Sequence, residues 1–177
     1  MKAIRTVKKS DAKDLLEIYT PYVTDSPISF EIEPPSAEEF QQRISTTLEV
    51  FPWLVYEVEN QVVGYAYAAP FKNRPAYNWS VESTVYIHKN FHRKGIGKEL
   101  YQELFRSLRE QGVVNVIAGI TIPNETSIKM HEHLGFVNAA RFKDAGFKLG
   151  RWWDVGYWQL QLQKPQTPMN LLKTKVF

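Results

Sequence analysis

The 177-residue chain contains no cysteine. That excludes a disulfide, a thiolate metal site and a cysteine nucleophile within it. It also has no run of about 18 apolar residues, and its first residues lack the basic-then-apolar pattern of a signal peptide. A soluble cytoplasmic protein with no membrane partner is therefore expected. Charge of one sign is never concentrated. The 22 Lys and Arg against 19 Asp and Glu leave a formal charge of +3, which suits an anionic small ligand as well as nucleic acid. The cations lack the aromatic-interleaved clustering of a nucleic-acid face, so no nucleic-acid partner is expected. No internal repeat is present. What remains is a chain with 44% apolar residues, long enough for one substantial core. It reads as a domain over residues 1–162 and a tail over 163–177.

Taken in order, Ala3 to Val7 predicts a strand, and Ser10 or Asp11 can cap the helix that follows. Leu15, Leu16, Ile18, Tyr19, Tyr22 and Val23 recur at helical spacing. Prolines between Pro27 and Pro35 make the next segment extended. Ser36 to Glu39 reads as a capping box, with Phe40, Ile44 and Leu48 as the buried stripe behind it. Two strand-like runs between Trp53 and Ala69 flank a turn at residues 59–61. Leu100, Leu104 and Leu108 mark a long helix closed by Gly112. The Val- and Ile-rich run from Val113 to Ile122 predicts a central strand. Asn124 caps a short helix ending at Gly135, and residues 137–147 and 152–162 are the last strands. The order β-α-α-β-β-β-α-β-α-β-β implies an α/β protein with a central mixed sheet flanked by helices, and the helix after Gly97 implies a right-handed parallel crossover.

One stretch, Trp79 to Leu100, stands out. Residues 81–87 favour a packed strand, yet they include Glu82, a carboxylate whose burial is unfavourable unless it is paired or its pKa moves. The loop that follows, His92-Arg93-Lys94-Gly95-Ile96-Gly97-Lys98, combines two glycines, three cations and a helix start. Such a combination suits a phosphate or pyrophosphate, and equally an ordinary tight turn. Asn124, Ser127 and His131 share one helix face. Arg74 and Tyr77 lie in a loop that could reach a cleft beside Glu82. The plainer readings are an exposed loop for Arg74 and Tyr77, a packing histidine for His131 and a core aromatic for Phe30.

A strand, a glycine pair at a helix start, and a strand ending at Pro123-Asn124 resemble the GNAT acyl-CoA N-acyltransferase fold. More narrowly, the chain is similar to the phosphinothricin and methionine sulfoximine acetyltransferase-like subfamily. The similarity rests on Ile28-Ser29-Phe30-Glu31, Gly64-Tyr65-Ala66-Tyr67-Ala68, Trp79 to Tyr86, Pro123-Asn124, His131-Glu132 with Leu134-Gly135-Phe136, and Trp153-Asp154-Val155-Gly156. It covers residues 2–162. The resemblance implies a GNAT sheet that is mostly antiparallel, acetyl-CoA as co-substrate, and a small amino-acid-like substrate acetylated on its α-amino group, such as phosphinothricin, methionine sulfoximine or methionine sulfone. It also implies a homodimer. By the same resemblance, residues 93–98 hold the CoA pyrophosphate, Val85, Tyr86 and Ile87 pair with the pantetheine arm, and Asn124 and Ser127 contact the cofactor. His92 departs from the Gln or Arg usual at its position.

An α-ammonium must lose a proton before it attacks a thioester, and Glu82 is the candidate base, directly or through water. Without cysteine, direct attack in a ternary complex is expected, with a backbone N–H near Val85 as donor to the oxyanion. His131 resembles a second functional position of the subfamily, which implies a catalytic role in supporting the substrate or proton transfer. Arg74 and Tyr77 would hold a substrate carboxylate and Phe30 would line the pocket wall. A protein N-terminus or a polyamine as substrate, or a CoA-binding module without catalysis, are the alternatives.

Overall fold

A computed structural model of the chain describes residues 2–167. Eleven elements follow the expected order: β1 (Lys2–Thr6), α1 (Ala12–Thr24), α2 (Ala37–Leu48), β2 (Trp53–Val58), β3 (Gln61–Pro70), β4 (Ser80–Ile87), α3 (Ile96–Gln111), β5 (Asn115–Ile122), α4 (Glu125–His133), β6 (Val137–Lys148) and β7 (Arg151–Gln161). They form one seven-stranded sheet in the order β1-β2-β3-β4-β5-β7-β6. Every neighbouring pair is antiparallel except β4 and β5, which α3 joins as a parallel crossover. Residues 168–177, most of the expected tail, lie outside the described residues. Its start is tied down, with the Leu162 N–H donating to the Val114 carbonyl and Gln163 Nε2 to the Val113 carbonyl, each at 2.8 Å.

Strand alternation divides the core between the two faces of the sheet. Leu54, Tyr56, Ala66 and Ala68 face Leu100, Leu104, Phe105 and Leu108 of α3. Their neighbours Trp53, Val55 and Tyr65 face Leu15, Ile18 and Val23 of α1 and Phe40 and Ile44 of α2. Leu100, Leu104 and Leu108 are each 0% exposed, and full burial of such a side chain is worth about 1.5–3 kcal/mol. Backbone punctuation is equally local. Glu59 and Asn60 both take positive φ, at 51° and 65°, in the two-residue turn between β2 and β3. Gly112 ends α3 at φ 95°. Ser36 Oγ caps α2 by accepting the Glu39 N–H at 3.1 Å.

The entry to α1 differs from expectation. Asp11 turns its carboxylate backward, accepting the Lys8 N–H at 2.7 Å and pairing with Arg5 at 2.7 and 3.0 Å. The Arg5 guanidinium also pairs with Glu57. A charged fork and a backbone donor together outcompete a helix cap, so Asp11 closes a 3₁₀ turn over Lys9–Asp11 and makes no side-chain cap to α1. The capping box at α2 is also incomplete, because Glu39 pairs with Arg43 at 2.6 Å.

Candidate active site

β4 and β5 pair at only three positions, Ser80 with Asn115, Val81 with Val116 and Glu82 with Ile117. β4 nevertheless stays in register with β3 as far as Ile87 opposite Gly64. In an antiparallel ladder every second residue gives both backbone groups to its neighbour. The His88 N–H donates to the Val63 carbonyl at 2.8 Å, which assigns Tyr86 and Thr84 to β3 and turns the backbone groups of Val85 and Ile87 toward the missing partner. Ile87's carbonyl accepts from the Tyr22 hydroxyl at 2.6 Å. Val85 keeps an open backbone edge. A cleft of about 480 Å³ fills the gap, with Val85 and Ile87 on one side, Asn124 and Met130 on the other and Gly95 and Gly97 at its end.

Of the three strand residues expected beside a cofactor, then, alternation gives Val85 and Ile87 to the gap and removes Tyr86. The Tyr86 ring packs in the opposite face against Tyr19, at 4.9 Å between centroids, and Tyr22, at 4.8 Å. The glycine loop leads directly into α3. Arg93 has φ 60° and Gly95 φ 80°, and no side chain caps α3. Glu99 is the first residue to bond back, to the Gly95 carbonyl at 3.1 Å, so the N–H groups of Ile96, Gly97 and Lys98 have no intrahelical acceptor. A Cβ at Gly97 would meet Met130 Sδ at 3.0 Å and Val85 Cγ2 at 3.9 Å, so glycine is what lets the helix start close on the cleft. Arg93 and Lys98 line it. Lys94 does not, because its ammonium lies 4.5 Å over the Phe91 ring. His92 Nε2 sits 3.0 Å from the Ile87 carbonyl and 2.9 Å from the Tyr22 hydroxyl, tying the start of the loop to β4 and α1.

Glu82 occupies the last paired position before the strands part. Its side chain is on the α1 and α2 face, in a second cavity of about 470 Å³ that shares Val85, Asn124 and Ser127 with the first. The carboxylate has no hydrogen bond or ion pair among the described residues. Burial pushes its pKa up, and the charge of Lys72 pulls part of the way back. Room for it comes from Gly119, the one exposed position of β5. A Cβ there would lie 3.2 Å from Glu82 Oε1. Tyr157 stands beside it, its hydroxyl pKa raised first by burial and then by the Glu82 charge.

His131 reaches the gap from the other face. It is 3% exposed, and its Nδ1 lies 2.8 Å from the Ser127 carbonyl. A carbonyl can only accept, so Nδ1 carries the proton and Nε2 accepts from the Tyr101 hydroxyl at 3.1 Å. Ser83 Oγ donates in turn toward Tyr101 at 3.3 Å, sharing its proton with the Ile117 carbonyl at 3.4 Å. Burial lowers the His131 pKa, so the ring is neutral. Asn124 Oδ1 caps α4 through the Ser127 N–H at 3.2 Å, which orients both residues at the junction of the two cavities.

Phe30 lines the Glu82 cavity and the adjoining one of about 710 Å³, where Tyr77 also lies. Arg74 is not among the lining residues of either; it precedes a 3₁₀ turn over Pro75–Tyr77. The cation that acts on Glu82 is Lys72, which sequence reasoning missed. Two residues along one irregular loop cannot be ranked by spacing, and only the fold selects between them. Tyr101 and Gly119 were missed as well, the first because it sits within an apolar helix stripe. Gly119 had a signal, a lone glycine inside a Val and Ile run.

The model of the acetyltransferase (GNAT) domain family matches residues 4–156. The chain is 39% identical over 165 residues to a phosphinothricin N-acetyltransferase of Streptomyces viridochromogenes, covering 93% of this chain and 90% of that protein. It is 36% identical to an L-methionine sulfoximine/L-methionine sulfone acetyltransferase of Salmonella typhimurium, covering 67% and 69%. Among solved structures, a GNAT superfamily phosphinothricin acetyltransferase from Sinorhizobium meliloti in complex with AcCoA superposes with a TM-score of 0.89. It shares 35% identity, with 93% of each chain covered.

Proposed function

Because the chain belongs to the GNAT acetyltransferase family, we propose that it transfers the acetyl group of acetyl-CoA to the α-amino group of a small amino acid or analogue, in the class of phosphinothricin, methionine sulfoximine and methionine sulfone. The observation that carries this reading is the position of Glu82, an unpaired carboxylate at the point where a backbone-lined cleft meets a second cavity. The residues present fit the cofactor. An amide-bearing pantetheine arm would find the open Val85 backbone edge, and a pyrophosphate would find the three free N–H groups of α3 flanked by Arg93 and Lys98. Asn124 and Ser127 border the same cleft.

Bound acetyl-CoA supplies a thioester carbonyl open to attack by an amine. Glu82 takes the proton from the α-ammonium, directly or through one water, and its raised pKa brings it closer to the range useful for a base. The Val85 N–H would donate to the thioester oxygen; as the C–N bond forms the C–S bond would break, with CoA leaving as its thiol on the second proton the nitrogen gives up. Neutral His131, its Nδ1–H fixed by the Ser127 carbonyl one turn earlier in α4, ties that helix to α3 through Tyr101 and supports the site from the opposite face. On the substrate side Phe30 forms a wall, and Lys72 with Tyr77 faces the substrate's anionic group. Lys72 there takes the role that the sequence suggested for Arg74.

Two further features belong to the same reading. The outer hairpin of β6 and β7 exposes Phe142, Phe147, Leu149 and Trp152, each between 55% and 60%, an apolar surface suited to a second copy in a homodimer. A cytoplasmic location accords with use of acetyl-CoA and a free amino acid. The test is thiol release from acetyl-CoA with phosphinothricin, methionine sulfoximine, methionine sulfone, polyamines and peptides. Turnover of the amino-acid analogues is expected, and turnover of peptides or polyamines alone would contradict the reading.

A further inference from the structure

The irregular segment between α1 and α2 crosses the junction of the two cavities as a strap. Ile28 lines both, and Ser29, Phe30 and Glu31 line the Glu82 side. Such a strap has no ladder to hold it, so its position depends on individual side-chain contacts. Ser29 is the node. It is 5% exposed; its Oγ meets the Tyr19 hydroxyl at 2.6 Å and accepts the Glu31 N–H at 3.2 Å. Glu31 is held to α2 by Arg43 at 2.6 Å. These contacts all lie on one side of the cleft.

The opposite side is held by β6, more than 100 residues away in the chain. Lys148 Nζ donates to the Ser29 carbonyl at 2.6 Å. Lys148 is itself only 5% exposed, and among the described residues it has no ion pair within 4 Å. Burial lowers its pKa, with Glu31 acting the other way. Covering an ammonium is unfavourable, and here the Ser29 carbonyl offsets part of that cost, so the contact is a strong one for strap and lysine alike. The Lys148 backbone is pinned in turn, its carbonyl accepting Trp153 Nε1 at 2.9 Å. Two residues earlier the Phe30 ring lies directly over Gly146. A Cβ at Gly146 would come within 2.7 Å of Phe30 Cδ2 and Cζ, far inside van der Waals contact.

We infer that Lys148 and Gly146 together fix the strap formed by residues 26–31 across the cleft, and that this sets the closure of the amino-acid cavity. Lys148 acts as a positioning residue through the Ser29 carbonyl, and Gly146 acts by admitting the Phe30 ring. The inference rests on the amino-acid acetylation reading for its kinetic consequence and on the structure alone for the strap. Removing the ammonium frees the Ser29 carbonyl, and adding a methyl at Gly146 displaces Phe30; each loosens the same segment from a different point.

The test combines hydrogen exchange of the strap amides with steady-state kinetics on Lys148→Met, Lys148→Arg and Gly146→Ala. In Lys148→Met, exchange at residues 28–31 should accelerate roughly tenfold or more, the scale of one hydrogen bond to a charged group. KM for the amino-acid substrate should rise by a similar factor, while kcat changes less than threefold and Lys148→Arg recovers most of the loss. Gly146→Ala should raise the same KM, and Phe30→Leu in that background should restore part of it by shortening the ring that clashes. Unchanged strap exchange in Lys148→Met would overturn the inference. So would a rise confined to the acetyl-CoA KM. The exchange measurement reads the strap even if amino acids prove not to be substrates, so the two readings fail separately.

Discussion

Replacing Glu82 by Gln keeps the side chain's shape and removes its ability to hold a proton. The structure makes two opposite demands on this residue. As a base it must be ionised, yet it sits in a cavity that disfavours the charge and, among the described residues, has no hydrogen-bond partner. Loss of a positioned base lowers turnover by roughly 100-fold or more, which is about 2.7 kcal/mol in the barrier at 1.36 kcal/mol per tenfold. Affinity for acetyl-CoA should stay near that of the wild type, because the cleft at the start of α3 is lined by β4, α3, α4 and the loop before α3, without Glu82. The pH sign follows from the raised pKa. The wild-type rate climbs as pH rises through the raised Glu82 pKa, and Glu82→Gln loses that acid limb. Stability moves the other way. A carboxyl whose folded pKa is raised is best accommodated when neutral, so its penalty grows as pH climbs from the unfolded-state pKa through the folded one. Glu82→Gln should therefore melt above the wild type at neutral pH, with the gap closing below the unfolded-state pKa. Thiol-release rates over a pH series, with calorimetry on the same samples, read both effects. A variant with near-normal turnover and an unchanged acid limb would refute the base assignment, and one that melts below the wild type at neutral pH would refute the burial argument.

Lys72→Met removes the charge that lowers the Glu82 pKa, so the acid limb of the rate profile should move to higher pH; movement to lower pH would contradict the pairing. Tyr101→Phe leaves His131 Nε2 as a buried acceptor without its donor, which typically costs about 1–3 kcal/mol. At about 2–4 °C per kcal/mol for a domain of this size, calorimetry should show a fall of roughly 2–12 °C, and an unchanged Tm would argue against the assigned tautomer. Gly97→Val forces a branched side chain against Met130 Sδ, already 3.0 Å from a bare Cβ. Titration calorimetry should show acetyl-CoA affinity falling roughly tenfold or more, the equivalent of about 1.4 kcal/mol; undiminished affinity would place the cofactor elsewhere.

The order of elements was legible because local rules dictate it. Leu100, Leu104 and Leu108 announce one buried helix face, Glu59-Asn60 a tight turn, and the run ending at Ile122 a strand covered by helices. What local rules cannot express is where two strands part. The divergence of β4 and β5 after Glu82 is set by the arrangement of the whole sheet, and it creates the open edge at Val85. The face each side chain takes depends on that same register. Tyr86 alternates away from the gap that Val85 and Ile87 border. Glu82 and His131 lie on opposite faces and meet only through the opening between strands. Contacts between distant segments were equally invisible, among them Lys148 with Ser29, and so was the influence of Lys72 on Glu82. His92 proves intelligible once Tyr22 and Ile87 are seen beside it.

The central claim is that an amino group meets the acetyl thioester at Glu82, where the strands separate. A crystal structure of Glu82→Gln with acetyl-CoA and methionine sulfoximine tests it most directly. The pantetheine arm should lie along Val85 and the α-nitrogen within about 2.6–3.2 Å of the substituted amide side chain, or one water away. An α-nitrogen bound outside the Glu82 cavity, or a cofactor lying outside the gap between β4 and β5, would contradict it.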